Sequence, residues 1–230
     1  MSIAYDCEFT PLFKQICIQD CYRLKQLPFV PDVILDIGAN IGVFTSYVRF
    51  LFPKADIVAV EPNLRNRMLL RDHTAHFPKI IYMRAALGTG KIWRAKRDIE
   101  PPWYGAMESY ITEPHGTDLG QNDAYERTDI PETSLADLVG SYSFPPWKTL
   151  LVKIDAEGGE NCIFDHPPSM NALRQIDHLV METHSEPGTP ISPEDSSWTI
   201  GDALMSLSET HTCVLEPEHH YFHATKKEYA

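Results

Sequence analysis

Acidic side chains and one histidine follow two short apolar runs in the second half of the chain. These side chains are Asp155, Glu157, Glu182 and His184. If the two runs form neighbouring parallel strands, their carboxyl ends meet at one edge of a sheet, where open α/β folds bind ligands. A carboxylate or an imidazole at that edge could remove the proton from a hydroxyl group. The four residues are therefore candidate catalytic groups, with His184 or Asp155 as the expected base.

The same residue types also occur in structural roles and in metal sites. A histidine such as His184 can cap the end of a strand, and Glu157 and Glu160 would be favoured in the first turn of a helix by its dipole. Asp155, Glu182 and His184 could instead bind a hard divalent ion, which would lower the pKa of a bound hydroxyl. We include no metal ligand in the expected site and leave the need for a divalent metal open.

A turn that contains glycine follows an apolar run in the first half of the chain. Residues 33–37 lead into Gly38-Ala39-Asn40-Ile41-Gly42, and helical spacing begins near Val43. Glycine permits a tight turn and a close approach to a ligand. The free N–H groups at the start of the helix suit a carboxylate or a phosphate. The pattern alone indicates a nucleotide-like ligand.

An acid ends the next apolar run. Glu61 follows residues 57–60, about 20 residues beyond the glycines, where an acid can accept hydrogen bonds from both ribose hydroxyls. The dehydrogenase pattern GxGxxG would place glycine where this chain has Asn40 and Val43. A loop that binds pyrophosphate is therefore disfavoured.

Apolar runs that alternate with helical spacing position these residues. The helices are predicted at residues 43–52 and 64–77, and an antiparallel hairpin at 212–215 and 221–224. The buried parallel strands are predicted at residues 33–37, 57–60, 80–83, 150–154 and 179–181. Right-handed crossovers wind such units into one sheet, so the expected fold is a doubly wound α/β domain.

The chain divides into an N-terminal helical cap, residues 1–30, and one domain, residues 31–230. The cap ends near Pro28 and Pro31, which stop helices. Residues 98–128 interrupt the rhythm of strands and helices with few apolar anchors, and we interpret them as an insertion or lid that could select the acceptor. In the predicted hairpin, the expected surface residues are His219, His220 and His223.

Composition narrows the partners. The formal net charge of −12 repels polyphosphate, so it disfavours nucleic acid and favours a small-molecule acceptor. The chain has no apolar run of the roughly 18 residues that span a bilayer, so no membrane contact is expected. The five cysteines form no CxxC pair, which is typical of reduced thiols in a cytoplasmic protein. The oligomeric state is not indicated.

In order and in spacing, the motifs resemble those of the FkbM family of S-adenosylmethionine-dependent methyltransferases. The resemblance covers roughly Val33 to His184, and neither the cap nor residues 98–128 share it. Its motifs are residues 36–42 (DIGANIG), 61–63 (EPN), 85–88 (AALG), 130–138 (IPETSLADL), 153–160 (KIDAEGGE) and 182–184 (ETH). The KIDxEG element is the most specific, and Ala156 and Gly159 stand where the family more often has Val and Ala.

The resemblance implies a seven-stranded, Rossmann-like methyltransferase sheet, mostly parallel, with a C-terminal antiparallel hairpin and helices on both faces. It also implies S-adenosyl-L-methionine as the cofactor. The glycine turn would line the methionine part, Glu61 would hold the ribose, and the residues after the third strand would lie along the adenine. The implied cofactor-binding residues are Asp36, Gly38, Ala39, Asn40, Gly42, Glu61, Pro62, Asn63, Arg84, Ala85 and Asp155.

The expected reaction is O-methylation of a hydroxyl on a sugar-like or natural-product small molecule. Methyl transfer is an in-line displacement at a carbon that the sulfonium already activates, so the protein aligns the acceptor and removes its proton. Two alternatives remain. One is an NAD-dependent oxidoreductase, and the other is a catalytically inactive, cofactor-binding partner subunit.

Overall fold

The computed structural model describes residues 4–88, 92–95, 110–112, 125–141, 148–157, 159–184, 190–192, 195–216 and 221–229. The α-helices are α1 (Ala4–Phe13), α2 (Val43–Leu51), α3 (Leu64–Thr74), α4 (Leu135–Ser141), α5 (Asn161–Phe164), α6 (Pro167–Leu173) and α7 (Ile200–Met205). A π-helical turn lies at Lys14–Ile18, and 3₁₀ turns lie at Leu24–Gln26, Ser206–Glu209 and Lys227–Tyr229. The strands are β1 (Val33–Ile37), β2 (Asp56–Val60), β3 (Ile80–Met83), β4 (Ala86–Leu87), β5 (Ile92–Ala95), β6 (Tyr110–Thr112), β7 (Tyr125–Arg127), β8 (Glu132–Thr133), β9 (Leu150–Ile154), β10 (His178–Glu182), β11 (Pro190–Ser192), β12 (Asp195–Thr199), β13 (His211–Glu216) and β14 (Tyr221–Lys226).

Seven of these strands form one sheet in the order β13-β14-β10-β9-β1-β2-β3. The five strands from β10 to β3 are parallel to one another. Strand β14 is antiparallel to both of its neighbours. The strand order reverses between β1 and β9, and such a switch point opens a crevice at the carboxyl ends of the strands. The predicted doubly wound α/β sheet with a C-terminal antiparallel hairpin is confirmed.

The side chains of β1 alternate between two apolar cores, because successive residues of a strand point to opposite faces. Val33, Leu35 and Ile37 belong to the core that also contains the buried residues of α4, α6 and α7. Ile34 belongs to the other core, together with α2 and the N-terminal residues Ile16, Tyr22 and Leu24. All five residues of β1 are buried. Helices therefore cover both faces of the sheet, and the N-terminal residues help to cover one of them.

The predicted strands and helices differ from the observed ones only at their ends. Helix α3 begins at Leu64 because the side chain of Asn63 accepts hydrogen bonds from the N–H groups of Arg65 and Asn66. It ends at Thr74, three residues earlier than predicted. The Thr74 hydroxyl donates to the carbonyl of Leu70 at 2.6 Å within that last turn. Apolar spacing continues to Phe77, and it therefore overstated the length of the helix.

Strands β5, β6 and β7 form a separate three-stranded antiparallel sheet in the order β6-β5-β7. The predicted insertion at residues 98–128 includes all of β6 and β7, and its other residues lie outside the described ones, except Thr128. Its role as a lid stays a prediction, as does the boundary of the cap at residue 30. Within the described ranges, no helix has both the length and the apolar character needed to cross a membrane.

The expected surface position of His223 is wrong. His223 lies on β14, an inner strand between β13 and β10, and only 4% of its surface is exposed. Burial is the main cause that lowers its pKa, the guanidinium of Arg23 adds to this effect, and the resulting pKa is about 4. The spacing of the three histidines in the sequence did not reveal that β14 is an inner strand. His219 and His220 lie outside the described residues.

Candidate functional site

The glycine turn joins β1 to α2 and touches the end of β9. Gly38 and Gly42 have φ angles of 76° and 89°, and Asn40 has a φ of 48°, a conformation that asparagine tolerates better than most residues. A Cβ atom on Gly38 would lie 1.7 Å from the carbonyl oxygen of Asp155. A Cβ atom on Gly42 would lie 2.7 Å from Cδ1 of Leu70. Close packing against the backbone therefore requires glycine at position 38, and the φ angles favour glycine at both positions.

Glu61 directly follows β2 and holds the other side of this turn. Its Oε2 accepts a hydrogen bond from the N–H of Asn40 at 2.8 Å, and its Oε1 accepts one from the N–H of Asn63 at 2.8 Å. The side chain is almost fully buried, and burial raises the pKa of Glu61 to about 7 despite these two hydrogen bonds. Each carboxylate oxygen has a second lone pair. The geometry is therefore compatible with acceptance of hydrogen bonds from ribose hydroxyls.

A buried ion pair supports the turn from below. The ammonium of Lys153 lies 3.5 Å from Oδ1 of Asp36 and 3.3 Å from Oδ2 of Asp155, and it donates to the carbonyl of Gly38 at 2.6 Å. Thr45 donates to the other oxygen of Asp36 at 2.5 Å. Burial alone lowers the pKa of Lys153, but the carboxylates of Asp155 and Asp36 outweigh it and raise that pKa. Lys153 is therefore charged and links β1 to β9.

His184 lies beside the end of β10 and is held by a buried acid. Oε1 of Glu160, which is fully buried, lies 2.9 Å from Nδ1 of His184 and accepts the His184 backbone N–H at 2.8 Å. Nε2 of His184 lies 3.5 Å from Glu157 and 3.9 Å from Asp155. Burial lowers the pKa of His184, but the hydrogen bond to Glu160 and the three carboxylates outweigh it and raise the pKa to about 9. At neutral pH, His184 therefore carries a positive charge.

Glu182 is the last residue of β10 and faces the same cleft. It is paired with Tyr221 of β14 in the sheet register. Burial is the main cause that raises its pKa to about 7; Asp155 raises it further, and the positive charges of His184 and Lys153 oppose this. Within the described residues, its carboxylate has no hydrogen-bonding partner. Glu182 therefore presents an acceptor with a pKa near neutrality.

The cleft has a volume of about 150 Å³ and lies at the switch point between β1 and β9. It is lined by Leu12, Gln15, Ile16, Tyr22, Gly38, Ala39, Asn40, Ile41, Val43, Phe44, Lys153, Asp155, Glu157 and Glu182. The parallel strands thus bring the predicted glycine turn together with three of the four predicted catalytic residues. His184, the fourth, contacts Asp155 and Glu157 from the adjacent strand end.

The other predicted cofactor residues follow β2 and β3. Arg84 and Ala85 come directly after β3, whose Met83 carbonyl accepts the N–H of Glu61 at 3.1 Å. The side chain of Asn63 caps α3, so its predicted contact with the cofactor would have to use other atoms. Asp36 lies beneath the glycine turn, 3.5 Å from the ammonium of Lys153, and its predicted contact with the cofactor stays a prediction.

Sequence reasoning missed three residues of the site. Lys153 begins the KIDxEG motif, but the motif indicated no role for it. The feature that could have revealed its role is its position, because it is a lysine inside an otherwise apolar run that is predicted to be a buried strand. Glu160 was explained by a helix dipole, whereas it holds His184. Tyr22 comes from the N-terminal cap, and no sequence signal linked it to the site.

The acids and His184 also have the residue types of a metal site. One candidate ligand atom from each of Asp155, Glu157 and His184 lies within 4.8 Å of the others, and Glu182 does not belong to this group. However, Lys153 lies 3.3 Å from Asp155, and His184 is held as a cation by Glu160. Because two positive charges already lie against these carboxylates, we assign no metal to this group.

Comparison with known proteins adds independent findings. No protein-family model matches the sequence. The chain is similar to methyltransferase FkbM from Methylobacillus flagellatus KT, with a TM-score of 0.50 and 12% identity over 88% of this chain and 46% of that one. The chain is FkbM-like in fold. At this identity the likeness establishes the fold alone.

Two curated relatives match a shorter segment. Methyltransferase sdnD of Sordaria araneosa is 43% identical over 51 residues, which is 22% of this chain and 19% of that protein. Methyltransferase 1 of Beauveria bassiana is 42% identical over 52 residues, which is 22% of this chain and 20% of that protein. The matched segment thus spans about a fifth of each relative. Both names agree with the FkbM-like fold.

Proposed function

We propose that this chain is an S-adenosylmethionine-dependent methyltransferase that methylates a hydroxyl oxygen of a sugar-like or natural-product small molecule. One observation carries the proposal. The glycine turn, locked between Glu61 and the end of β9, adjoins a cleft that contains Asp155 and Glu182. A nucleoside-binding turn and groups that can remove a proton thereby share one rim. The FkbM-like fold and the names of the two relatives support methyl transfer.

We assign each part of the proposed cofactor to residues at a different position along the rim. The turn between Gly38 and Gly42 would contact its methionine part, Glu61 its ribose, and Arg84 and Ala85 its adenine. The bound cofactor supplies the activated methyl group. The cleft carries several carboxylates, which favour the positive sulfonium and disfavour an anionic acceptor. A neutral hydroxyl compound therefore suits this site better than a phosphorylated one.

Glu61→Ala is expected to weaken the binding of S-adenosylhomocysteine at least tenfold, or about 1.4 kcal/mol. The variant removes the carboxylate that would accept the ribose hydroxyls and that also holds the N–H of Asn40. Asp56→Ala, at the other end of the same strand and on the surface, is the control and should bind like the wild type. Titration calorimetry measures both. Unchanged affinity in Glu61→Ala would contradict the proposed hydrogen bonds between Glu61 and the ribose of the cofactor.

The same calorimetry separates this proposal from an NAD-dependent oxidoreductase. We expect wild-type protein to bind S-adenosylhomocysteine and not NAD. Asn40 and Val43 occupy positions where the pyrophosphate loop uses glycine, and this favours the expected result. Binding of NAD without binding of S-adenosylhomocysteine would favour the oxidoreductase over the methyltransferase.

The proton acceptor of our proposed mechanism is Glu182 or Asp155. His184 already holds a proton at neutral pH and cannot accept another, so it acts by fixing and compensating the surrounding carboxylates. The pKa of Glu182 is raised to about 7, and a pKa near neutrality suits a general base. The charged and titratable groups around Glu182 are Lys153, Asp155, Glu157, His184, Cys21, Tyr22 and Tyr221.

Turnover is expected to rise as the pH increases through about 7, because Glu182 must lose its proton before it can accept one. Glu182→Gln should slow turnover by about 10²-fold or more and abolish this rise. The assay uses labelled S-adenosylmethionine and a panel of neutral hydroxyl compounds. Glu209→Gln, an exposed acid outside the cleft, is the matched control. A rise near pH 7 that survives in Glu182→Gln would exclude Glu182 as the base.

Absence of turnover on every acceptor, with cofactor binding intact, would favour the inactive partner subunit. The cytoplasmic location and the choice of a small-molecule acceptor are likewise proposals.

A further inference from the structure

Residues 12–22 supply part of the wall of the cleft. Leu12, Gln15, Ile16 and Tyr22 line it together with the glycine turn and Asp155. Gln15 and Ile16 lie on the π-helical turn, a local geometry that is frequent at functional sites. This wall segment, residues 12–22, lies outside the FkbM resemblance, and the mechanism proposed above assigns it no role.

The ring of Tyr22 is fixed by aromatic contacts. Tyr22 is 3% exposed, and its ring packs edge-on against Phe44 at 5.3 Å and against Tyr221 at 5.5 Å between ring centroids. Edge-to-face pairs at such distances are favourable. The Tyr22 hydroxyl lies 3.5 Å from Oδ2 of Asp155 and donates to it. The ring therefore holds one hydroxyl against the acid at the end of β9.

The wall segment is also tied to the C-terminal hairpin. The side-chain amide of Gln15 donates to the hydroxyl of Tyr221 at 2.6 Å. Directly after the segment, the guanidinium of Arg23 pairs with Glu216 of β13. These two contacts connect the wall segment and the residue after it to the C-terminal hairpin, whose strand β14 lies next to the strand that ends at Glu182. The wall is therefore positioned by the same sheet that positions the proposed base.

We infer that the wall segment forms the acceptor side of the methyl-transfer site, with Tyr22 as the residue that positions Asp155 toward the group being transferred. The inference rests on the proposed function. The cleft volume of about 150 Å³ is below the roughly 300–1,000 Å³ of sites that enclose a whole drug-sized ligand. It therefore suits the reacting end of an acceptor. Leu12, Ile16 and Phe44 offer apolar contacts to a carbon skeleton, and Tyr22 and Glu182 flank its hydroxyl.

Two cofactor analogues test this inference without knowledge of the acceptor. S-adenosylhomocysteine lacks the transferred methyl group. In sinefungin, a carbon that bears an amine replaces the methylated sulfur, so its ammonium lies where the methyl group would be. We expect Tyr22→Phe to bind S-adenosylhomocysteine within about twofold of the wild type and to bind sinefungin at least about fivefold more weakly. The ammonium would be next to Asp155, whose orientation the Tyr22 hydroxyl fixes.

Tyr47→Phe is the matched control, because the Tyr47 hydroxyl is also buried and has no hydrogen-bonding partner within the described residues, but lies on α2 and does not line the cleft. It should change neither affinity. The inference is overturned if Tyr22→Phe leaves the ratio of the two affinities unchanged or shifts it toward sinefungin, even when both affinities fall. If wild-type protein binds neither analogue, the proposed function itself fails.

Discussion

Lys153→Met is expected to lower the free energy of unfolding by about 3–5 kcal/mol. The substitution keeps much of the side-chain volume but removes the ammonium between Asp36 and Asp155. Asp36 has no exposed surface, and within the described residues the only other polar contact of its carboxylate is the Thr45 hydroxyl. A buried carboxylate without its counter-ion costs several kcal/mol. The measurement is the midpoint and slope of denaturant unfolding.

Lys148→Met is the control for this experiment. Lys148 pairs with Asp56 at 3.3 Å, but both side chains are about one-third to one-half exposed, and such surface pairs contribute about 0–1 kcal/mol. Adding Asp36→Asn to Lys153→Met should recover part of the lost stability, because it removes the uncompensated charge. A loss below about 1 kcal/mol in Lys153→Met would show that this ion pair does not stabilise the turn.

Gly38→Ala is expected to prevent folding or to destabilise the chain by more than about 4 kcal/mol, and to abolish the binding of S-adenosylhomocysteine. The new Cβ atom would lie 1.7 Å from the carbonyl oxygen of Asp155, a backbone atom, so relief requires that β1 and β9 move apart. The φ angle of 76° adds strain for any L-residue with a side chain. Circular dichroism and calorimetry follow the two effects.

Gly140→Ala tests the same chemical change where the structure predicts the opposite sign. Gly140 lies in α4, and a Cβ atom there would meet nothing within 4 Å. Because alanine is the better helix former, this variant should be more stable by about 0.5–1 kcal/mol. If Gly38→Ala were as stable as the wild type, the contact between the glycine turn and β9 would not exist in solution.

The sheet was predictable because its central strands are apolar runs that only one charged residue interrupts, Asp36 in β1 and Lys153 in β9. All five residues of both β1 and β9 are buried, so the pattern needed no knowledge of partners. The rim was predictable for the same reason, since parallel strands place Glu61, Asp155 and Glu182 at their carboxyl ends. The glycine turn could be located because the large residues of β1 are followed directly by the small residues Gly38 and Ala39.

Contacts between distant parts of the chain could not be predicted. Tyr22 and Asp155 are 133 residues apart, and the cap carries no motif that names its partner. Glu160 and His184 also come from different elements, and only folding shows that a fully buried acid keeps the imidazole charged. The expected base changed for this reason, from His184 or Asp155 to Glu182 or Asp155, because charge states depend on neighbours that a linear pattern does not contain.

The bond from Lys153 to the carbonyl of Gly38 spans 115 residues. During synthesis, β1, β2 and β3 can pair with each other long before β9 leaves the ribosome, but until then the glycine turn lacks its contact with Lys153. We therefore expect a nascent chain to be unable to retain the proposed cofactor until this late strand docks. The intervening stretch, in turn, can lengthen at an entropic cost of only about 0.6 kcal/mol per doubling, so this stretch has room to diversify.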